Sequence, residues 1–148
     1  VITDDLLMAG AAELGDIGRF RTPAGLMNYV GLVVSEHTSS KRRRQGGITK
    51  TGNSHVRRAL IDAAWAYRQP PKVNKELSLR LEKVPDQLRP ISWKAQNRLH
   101  HKYRRMVAKG KMSQKATVAC ARELAGFIWA IFHAIDRDEV ATPKKEAA

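Results

Sequence analysis

Apolar residues recur at helical spacing near the start of the chain, between clear start and stop signals. Thr22-Pro23 predicts the beginning of a helix, with Thr as the N-cap and Pro at the first helical position. Gly31 predicts its end. Asn53 or Ser54 is expected to cap the next helix, whose apolar face comprises positions 56, 59, 60, 63, 64 and 67 and which stops at Pro70-Pro71. A short helix over residues 2–14 is also expected.

The second half of the chain predicts three more helices. A weaker one spans about 74–83, and Pro85 and Pro90 are expected to bracket a turn after it. Residues 91–109 then carry an apolar stripe opposite dense Lys and Arg, up to Gly110. The last helix, 114–135, is capped by Ser113 and apolar almost all round, which is typical of the centre of a bundle. Residues 136–148 are predicted to be a charged, frayed tail.

Between the first two strong helical patterns lies a long polar stretch, residues 35–52. It contains hydroxyls, consecutive cations and glycines, and is predicted to be a flexible, exposed loop. Leu32-Val33-Val34 before it is β-prone but too short to establish a sheet. The predicted fold is therefore mainly α, a compact helical domain of about five helices with a long basic loop and no sizeable sheet.

Composition adds a marked charge asymmetry to this picture. The chain has 148 residues and a net charge of +13, which fits one domain. Between Lys41 and Lys115 there are 21 Lys or Arg and 4 acids, a net charge of +17, whereas the remainder carries −4. Such a basic block predicts a polyanionic partner. A single Cys excludes a disulfide framework, and no apolar run approaches a membrane span.

Metal and carboxylate chemistry find little support in the residues. The five histidines form no ligand pair with a nearby carboxylate, so no metal site is predicted. The acids are few and mostly outside the basic block, which is unlike a two-metal nuclease. Cys120 is interpreted as a small buried hydrophobe and His133 as a core or rim residue.

The segment 37–58 carries the candidate chemistry. Three hydroxyls precede four cations, and the segment then leads through Gly46-Gly47 into the N-terminus of a helix. A hydroxyl there is a candidate nucleophile for a phosphodiester; the alternative is a basic loop that only holds phosphates. The three hydroxyls are those of Thr38, Ser39 and Ser40. The candidate phosphate-binding residues are Lys41, Arg42, Arg43, Arg44, Lys50, Asn53, Arg57 and Arg58.

At these residues the sequence resembles the C-terminal domain of the Piv-invertase-related, DEDD-type insertion-sequence transposases guided by a bridge RNA. The resemblance covers about residues 13–135. The matching stretches are ELGDIGRF at 13–20, TPAGLMNYVGLV at 22–33, SEHTSS at 35–40, GGITKTGN at 46–53, VRRAL at 56–60, AWAYR at 64–68, WKAQNRLH at 93–100 and ARELAGFIW at 121–129.

The resemblance implies a split active site. An N-terminal RuvC-like domain would supply four acids that bind Mg²⁺, and this domain would supply the serine that links covalently to DNA. The family pattern aligns Ser39 with that nucleophile, and an alignment shifted by one residue makes Ser40 the alternative. Ser40 stands where the family has Gly, and Val34 stands where it usually has Pro. Residues 1–14 then resemble the end of the upstream linking segment, 15–135 the serine domain and 136–148 a tail.

The function expected from the resemblance is DNA strand cleavage and rejoining in transposition. The expected partners are DNA, a guide RNA and further copies of the full-length enzyme, in the cytoplasm with the nucleoid and without a membrane. No cofactor is expected in this chain. The non-Met start at Val1 suggests a fragment. The fragment is not expected to cleave DNA alone, because the metal-binding acids would belong to the absent N-terminal domain. Two alternatives remain: a non-catalytic basic module or transposase relic, and a helix-turn-helix regulator using residues 54–68.

Overall fold

A computed structural model of the chain describes residues 13–39 and 42–141, with the backbone alone at 37–39, 42–45 and 138–141. This part contains five α-helices and one antiparallel hairpin. In chain order they are α1 (Pro23–Tyr29), β1 (Val34–Ser39), β2 (Arg42–Ile48), α2 (Ser54–Ala64), α3 (Lys75–Glu82), α4 (Leu88–Ala108) and α5 (Ser113–Ala141). Short 3₁₀ turns cover Ile17–Arg19 and Trp65–Arg68. The prediction of a mainly α-helical domain is confirmed.

Helix α5 is the centre of the domain and packs against α4, α2 and α1. Its buried face contains Ala116, Thr117, Cys120, Ala121, Leu124, Ala125 and Ile128. By length and composition alone, Ser113–Arg137 is apolar enough to cross a membrane. The sequence analysis found no apolar run of that length, because Arg122 and Glu123 interrupt it. In the structure this face instead packs on three helices of the same domain, as expected for a core helix.

The predicted helix starts at Thr22 and Asn53 are confirmed in atomic detail. Thr22 Oγ1 accepts a hydrogen bond from the Gly25 amide at 3.2 Å. Asn53 Oδ1 accepts from the amides of His55 and Val56, at 2.9 and 3.0 Å. Both side chains thereby satisfy amides that a helix N-terminus leaves without partners.

Three predicted helix boundaries are wrong. Helix α4 begins at Leu88, so Pro90 lies in its first turn, where the missing N–H costs nothing. Helix α5 begins at Ser113, which is its first residue rather than its cap, and it continues to Ala141 through part of the predicted tail. The helix predicted over 2–14 falls mostly, and the tail beyond 141 wholly, outside the described residues.

The largest difference from the sequence prediction lies in the basic segment, which is a β-hairpin rather than a flexible loop. Strand β1 pairs antiparallel with β2, from Val34 opposite Ile48 at the base to Ser39 opposite Arg42 at the end. An irregularity between Val34 and Glu36 interrupts the ladder. The pairing satisfies the backbone groups of a polar segment, but the polar residues of both strands give no apolar alternation for sequence reasoning to detect.

Candidate nucleic-acid interface

The hairpin extends from a tightly packed junction, where the end of α1 meets the loop 49–52 before α2. The Lys50 amide donates to the Gly31 carbonyl at 3.1 Å, and the Thr49 amide donates to the Val33 carbonyl at 2.8 Å. A Cβ on Gly31 would lie 2.1 Å from the Thr51 oxygen, and one on Gly52 would lie 1.8 Å from the Tyr29 oxygen. Only glycine fits at these two positions, since both also have positive φ, +68° and +81°.

Arg57 stabilises the same junction. Its guanidinium Nη1 donates to the Val30 carbonyl at 3.1 Å and to the Thr51 carbonyl at 3.3 Å. One predicted phosphate-binding residue is therefore hydrogen-bonded to the backbone and partly buried. Its neighbour Arg58 differs: 86% of its side chain is exposed, and its partner is Asp62 at 3.8 Å across one helical turn.

The helix N-terminus next to the hairpin, predicted as an anion site, is already satisfied from within. Asn53 accepts from the first-turn amides of His55 and Val56, and its carbonyl accepts from the Arg57 amide at 3.2 Å. Asn53 therefore shapes the turn into α2. Lys50, three residues before Asn53, is exposed and adopts φ +56°, a left-handed conformation that is uncommon outside glycine.

The hairpin pairs the strand that ends with the candidate nucleophile, Ser39, with the strand that carries three candidate cations. Ser39 lies opposite Arg42, Thr38 opposite Arg43 and His37 opposite Arg44. Directly opposite residues of an antiparallel pair share a face of the sheet, so positions 37, 39, 42 and 44 belong to one face. Ser40 and Lys41, which connect the strands in sequence, lie outside the described residues.

A groove of about 660 Å³ lies between the base of the hairpin and the first half of α5. Its apolar lining comprises Leu32, Val34, Ile48, Val118 and Ala119. Among the described residues, four cations also line it, Lys50, Lys102, Lys115 and Arg122, and no carboxylate does. Sequence reasoning proposed only Lys50 among these as a phosphate-binding residue, because the other three come from α4 and α5, which are distant along the chain.

The cations of the groove differ in their ion pairs. Lys102 Nζ donates to Glu123 Oε2 at 2.7 Å, and Arg98 Nε donates to the other oxygen of the same carboxylate. Within the part of the chain that the structure describes, Lys50, Lys115 and Arg122 have no ion-pair partner. The groove thus keeps three uncompensated positive charges next to an apolar surface.

The Glu123 carboxylate links α5 to α4, and its ionisation is tied to the fold. Burial alone would raise the pKa of Glu123, but the hydrogen bonds from Lys102 and Arg98 outweigh that effect and lower the pKa. A lowered folded-state pKa contributes stability that is present above the unfolded-state value. This stability is lost as the pH falls through the folded-state pKa.

We therefore expect Glu123→Gln to lower the free energy of unfolding at pH 7 by about 1–2 kcal/mol, since two cations lose a charged acceptor. The deficit should shrink as the pH falls through the lowered folded-state pKa of Glu123, because the wild-type carboxyl then also becomes neutral. Urea unfolding at several pH values measures both. Asp62→Asn is the matched control, and its exposed pair should contribute almost nothing; equal losses for the two variants contradict the prediction.

Cys120 and His133, which the sequence analysis interpreted as core or rim residues, both contact neighbouring groups of the fold. Burial raises the pKa of the Cys120 thiol to about 11, and its Sγ lies 3.5 Å from the Leu99 carbonyl oxygen. The His133 ring stacks on Trp129 at 3.9 Å between centroids. Among the described residues, no group of three or more His, Cys, Asp or Glu side chains is placed to hold a metal ion.

The fold and this site together define a mainly α-helical domain that carries a cationic hairpin above a cationic groove. Residues 4–77 match the family described as Transposase IS116/IS110/IS902, and the match covers half of the chain. The chain therefore belongs to the IS110 family of transposases.

Two curated relatives are transposases by description. A putative transposase of Sinorhizobium fredii, y4qE, is 50% identical over 121 residues, which is 82% of this chain and 31% of that protein. A probable family 20 transposase of Pseudomonas aeruginosa is 38% identical over 58 residues, which is 39% of this chain and 17% of that protein. The chain spans less than a third of the length of these relatives, and no solved structure matches it.

Proposed function

We propose that this chain is the serine-bearing C-terminal domain of an IS110-type transposase, which binds DNA and a guide RNA and supplies Ser39 for strand cleavage and rejoining. The observation that carries the proposal is the register of the hairpin, which places Ser39 directly opposite Arg42 in a run of cations. Family membership makes DNA transposition the process in which such a serine would act.

The proposed step is an exchange of bonds at phosphorus. The Ser39 hydroxyl oxygen attacks a DNA phosphodiester, a serine–phosphorus bond forms, and the bond to one sugar oxygen breaks. The proton of the serine hydroxyl passes to a general base, and the departing sugar oxygen takes up a proton. Arginines beside the serine stabilise the charge that develops on the phosphoryl oxygens.

Rejoining reverses the first step with a different strand. The phosphoserine link keeps the phosphoryl group activated, so a sugar hydroxyl of a second DNA strand can attack it and release the serine. The acids that bind Mg²⁺ belong, in this proposal, to a RuvC-like domain outside this chain. Copies of the full-length enzyme, acting on the cytoplasmic nucleoid, would bring the two DNAs together.

Mapping the covalent adduct tests the proposal. A full-length transposase carrying this domain is incubated with DNA that contains its recombination site, denatured and digested with nuclease and protease. Mass spectrometry should find a nucleotide remnant on the peptide that contains Ser39. A remnant on Ser40 would move the nucleophile by one position, and a remnant on any residue outside the hairpin contradicts the proposal.

A non-catalytic basic module is the second candidate function. The observation that favours it is Ser40, which stands where the resembled family has Gly next to the nucleophile. Such a module would bind nucleic acid with an affinity that falls steeply with salt, and would leave no adduct in the mapping experiment.

A further inference from the structure

The groove beneath the hairpin is a second candidate surface, apart from the strand ends that carry Ser39. Lys50, Lys115 and Arg122 line it, and among the described residues they have no ion-pair partner and no carboxylate lies beside them in the lining. Its charge is therefore complementary to a polyanion. About 660 Å³ of volume is of the size that holds a small ligand or a segment of a chain.

The apolar lining restricts the kind of polyanion. Leu32, Val34, Ile48 and Val118 offer hydrocarbon surface between the cations. A DNA duplex presents its phosphates outward and keeps the faces of its bases stacked inside, so it has nothing to cover this surface. An unpaired nucleotide combines a phosphate with an exposed base face, which is the combination that single-strand binding grooves recognise.

We infer that the groove binds an unpaired stretch of DNA strand beside the phosphodiester that Ser39 attacks, an inference that rests on the proposed function. The hairpin connects the two places: Val34 lines the groove, and Ser39 lies five residues further along β1, about 17 Å away at the rise of a strand. DNA rather than RNA is the occupant because the strand leading out of the groove ends at the proposed site of DNA cleavage.

Binding of labelled 12-mers to the 148-residue chain tests this inference by fluorescence anisotropy at several salt concentrations. The probes are oligo-dT, the same backbone with abasic sites, a 12-base-pair duplex and oligo-U. The groove variant is Lys115→Ala with Arg122→Ala. The matched control is Lys75→Ala with Lys83→Ala, which removes two exposed cations at the ends of α3, outside the groove.

We expect oligo-dT to bind more tightly than the duplex, the abasic strand and oligo-U. The groove variant should weaken oligo-dT binding about tenfold and reduce the salt slope by about 1.4, since each lost phosphate contact contributes about 0.7 for a single strand. The control variant should change binding less than threefold.

Four results overturn the inference. They are equal weakening by the groove and control variants, abasic binding as tight as oligo-dT, duplex binding as tight as oligo-dT, and tighter binding of oligo-U. A hairpin variant, Arg42→Ala with Arg44→Ala, distinguishes failure of the groove inference from failure of the proposed function. If only the hairpin variant weakens binding, the groove is not the site and the proposed function stands; if no probe binds, both fail.

Discussion

Ser39→Ala in a full-length transposase carrying this domain is expected to remove the covalent protein–DNA adduct and to reduce strand transfer by roughly 10³-fold or more, the scale on which a covalent nucleophile acts. Alanine deletes the attacking oxygen and adds no bulk, so the backbone pairing of Ser39 with Arg42 has no reason to change. Trapping of the adduct on denaturing gels and a strand-exchange assay measure the two effects.

Ser40→Ala is the matched control, because it removes the same hydroxyl one position further along the chain. If Ser39 is the nucleophile, the Ser40→Ala variant still forms the adduct. If the adduct survives in Ser39→Ala and disappears in Ser40→Ala, the nucleophile is Ser40. Binding of both variants to DNA should match wild type, which separates loss of chemistry from loss of contact with the substrate.

Local signals sufficed to predict the helical part of the fold. Thr22 and Asn53 are caps in the sequence and in the structure, because a cap depends on atoms within three residues. The apolar face of α2 could be predicted for a similar reason, because its apolar residues recur with a period near 3.6 within one segment of the chain. The misplaced start of α4 reflects the freedom of the first helical turn to accept Pro90.

The hairpin and the groove depend on contacts that no local pattern records. Strand β1 carries polar residues at successive positions from Ser35 to Ser39, so the sequence offers no apolar alternation that would reveal its pairing with β2. The junction at Gly31 and Gly52 is likewise a contact between backbones, which side-chain patterns do not record. The groove joins Lys50 to Lys115 and Arg122, residues separated by more than sixty positions. The sequence showed that residues 41–115 are basic. The packing of α4 and α5 determines which cations share a surface.

The junction at the base of the hairpin should be unusually sensitive to substitution. Gly52→Ala is expected to lower the free energy of unfolding by about 3 kcal/mol or more, because it combines a left-handed backbone with severe overlap. Its added Cβ would lie 1.8 Å from the Tyr29 oxygen, a backbone atom that cannot rotate away. Urea unfolding followed by circular dichroism measures the loss.

Gly110→Ala is the control that isolates the overlap from the backbone conformation. Gly110 has φ +77°, close to the +81° of Gly52, but no atom lies within 4 Å of an added Cβ. Its substitution should therefore cost only about 1 kcal/mol, the penalty for a left-handed alanine. Similar losses for the two variants would show that the junction has room to relax. A larger loss at Gly52 would mean that the hairpin is positioned by contact between two backbones, and its candidate serine would then be held in place by α1 and α2.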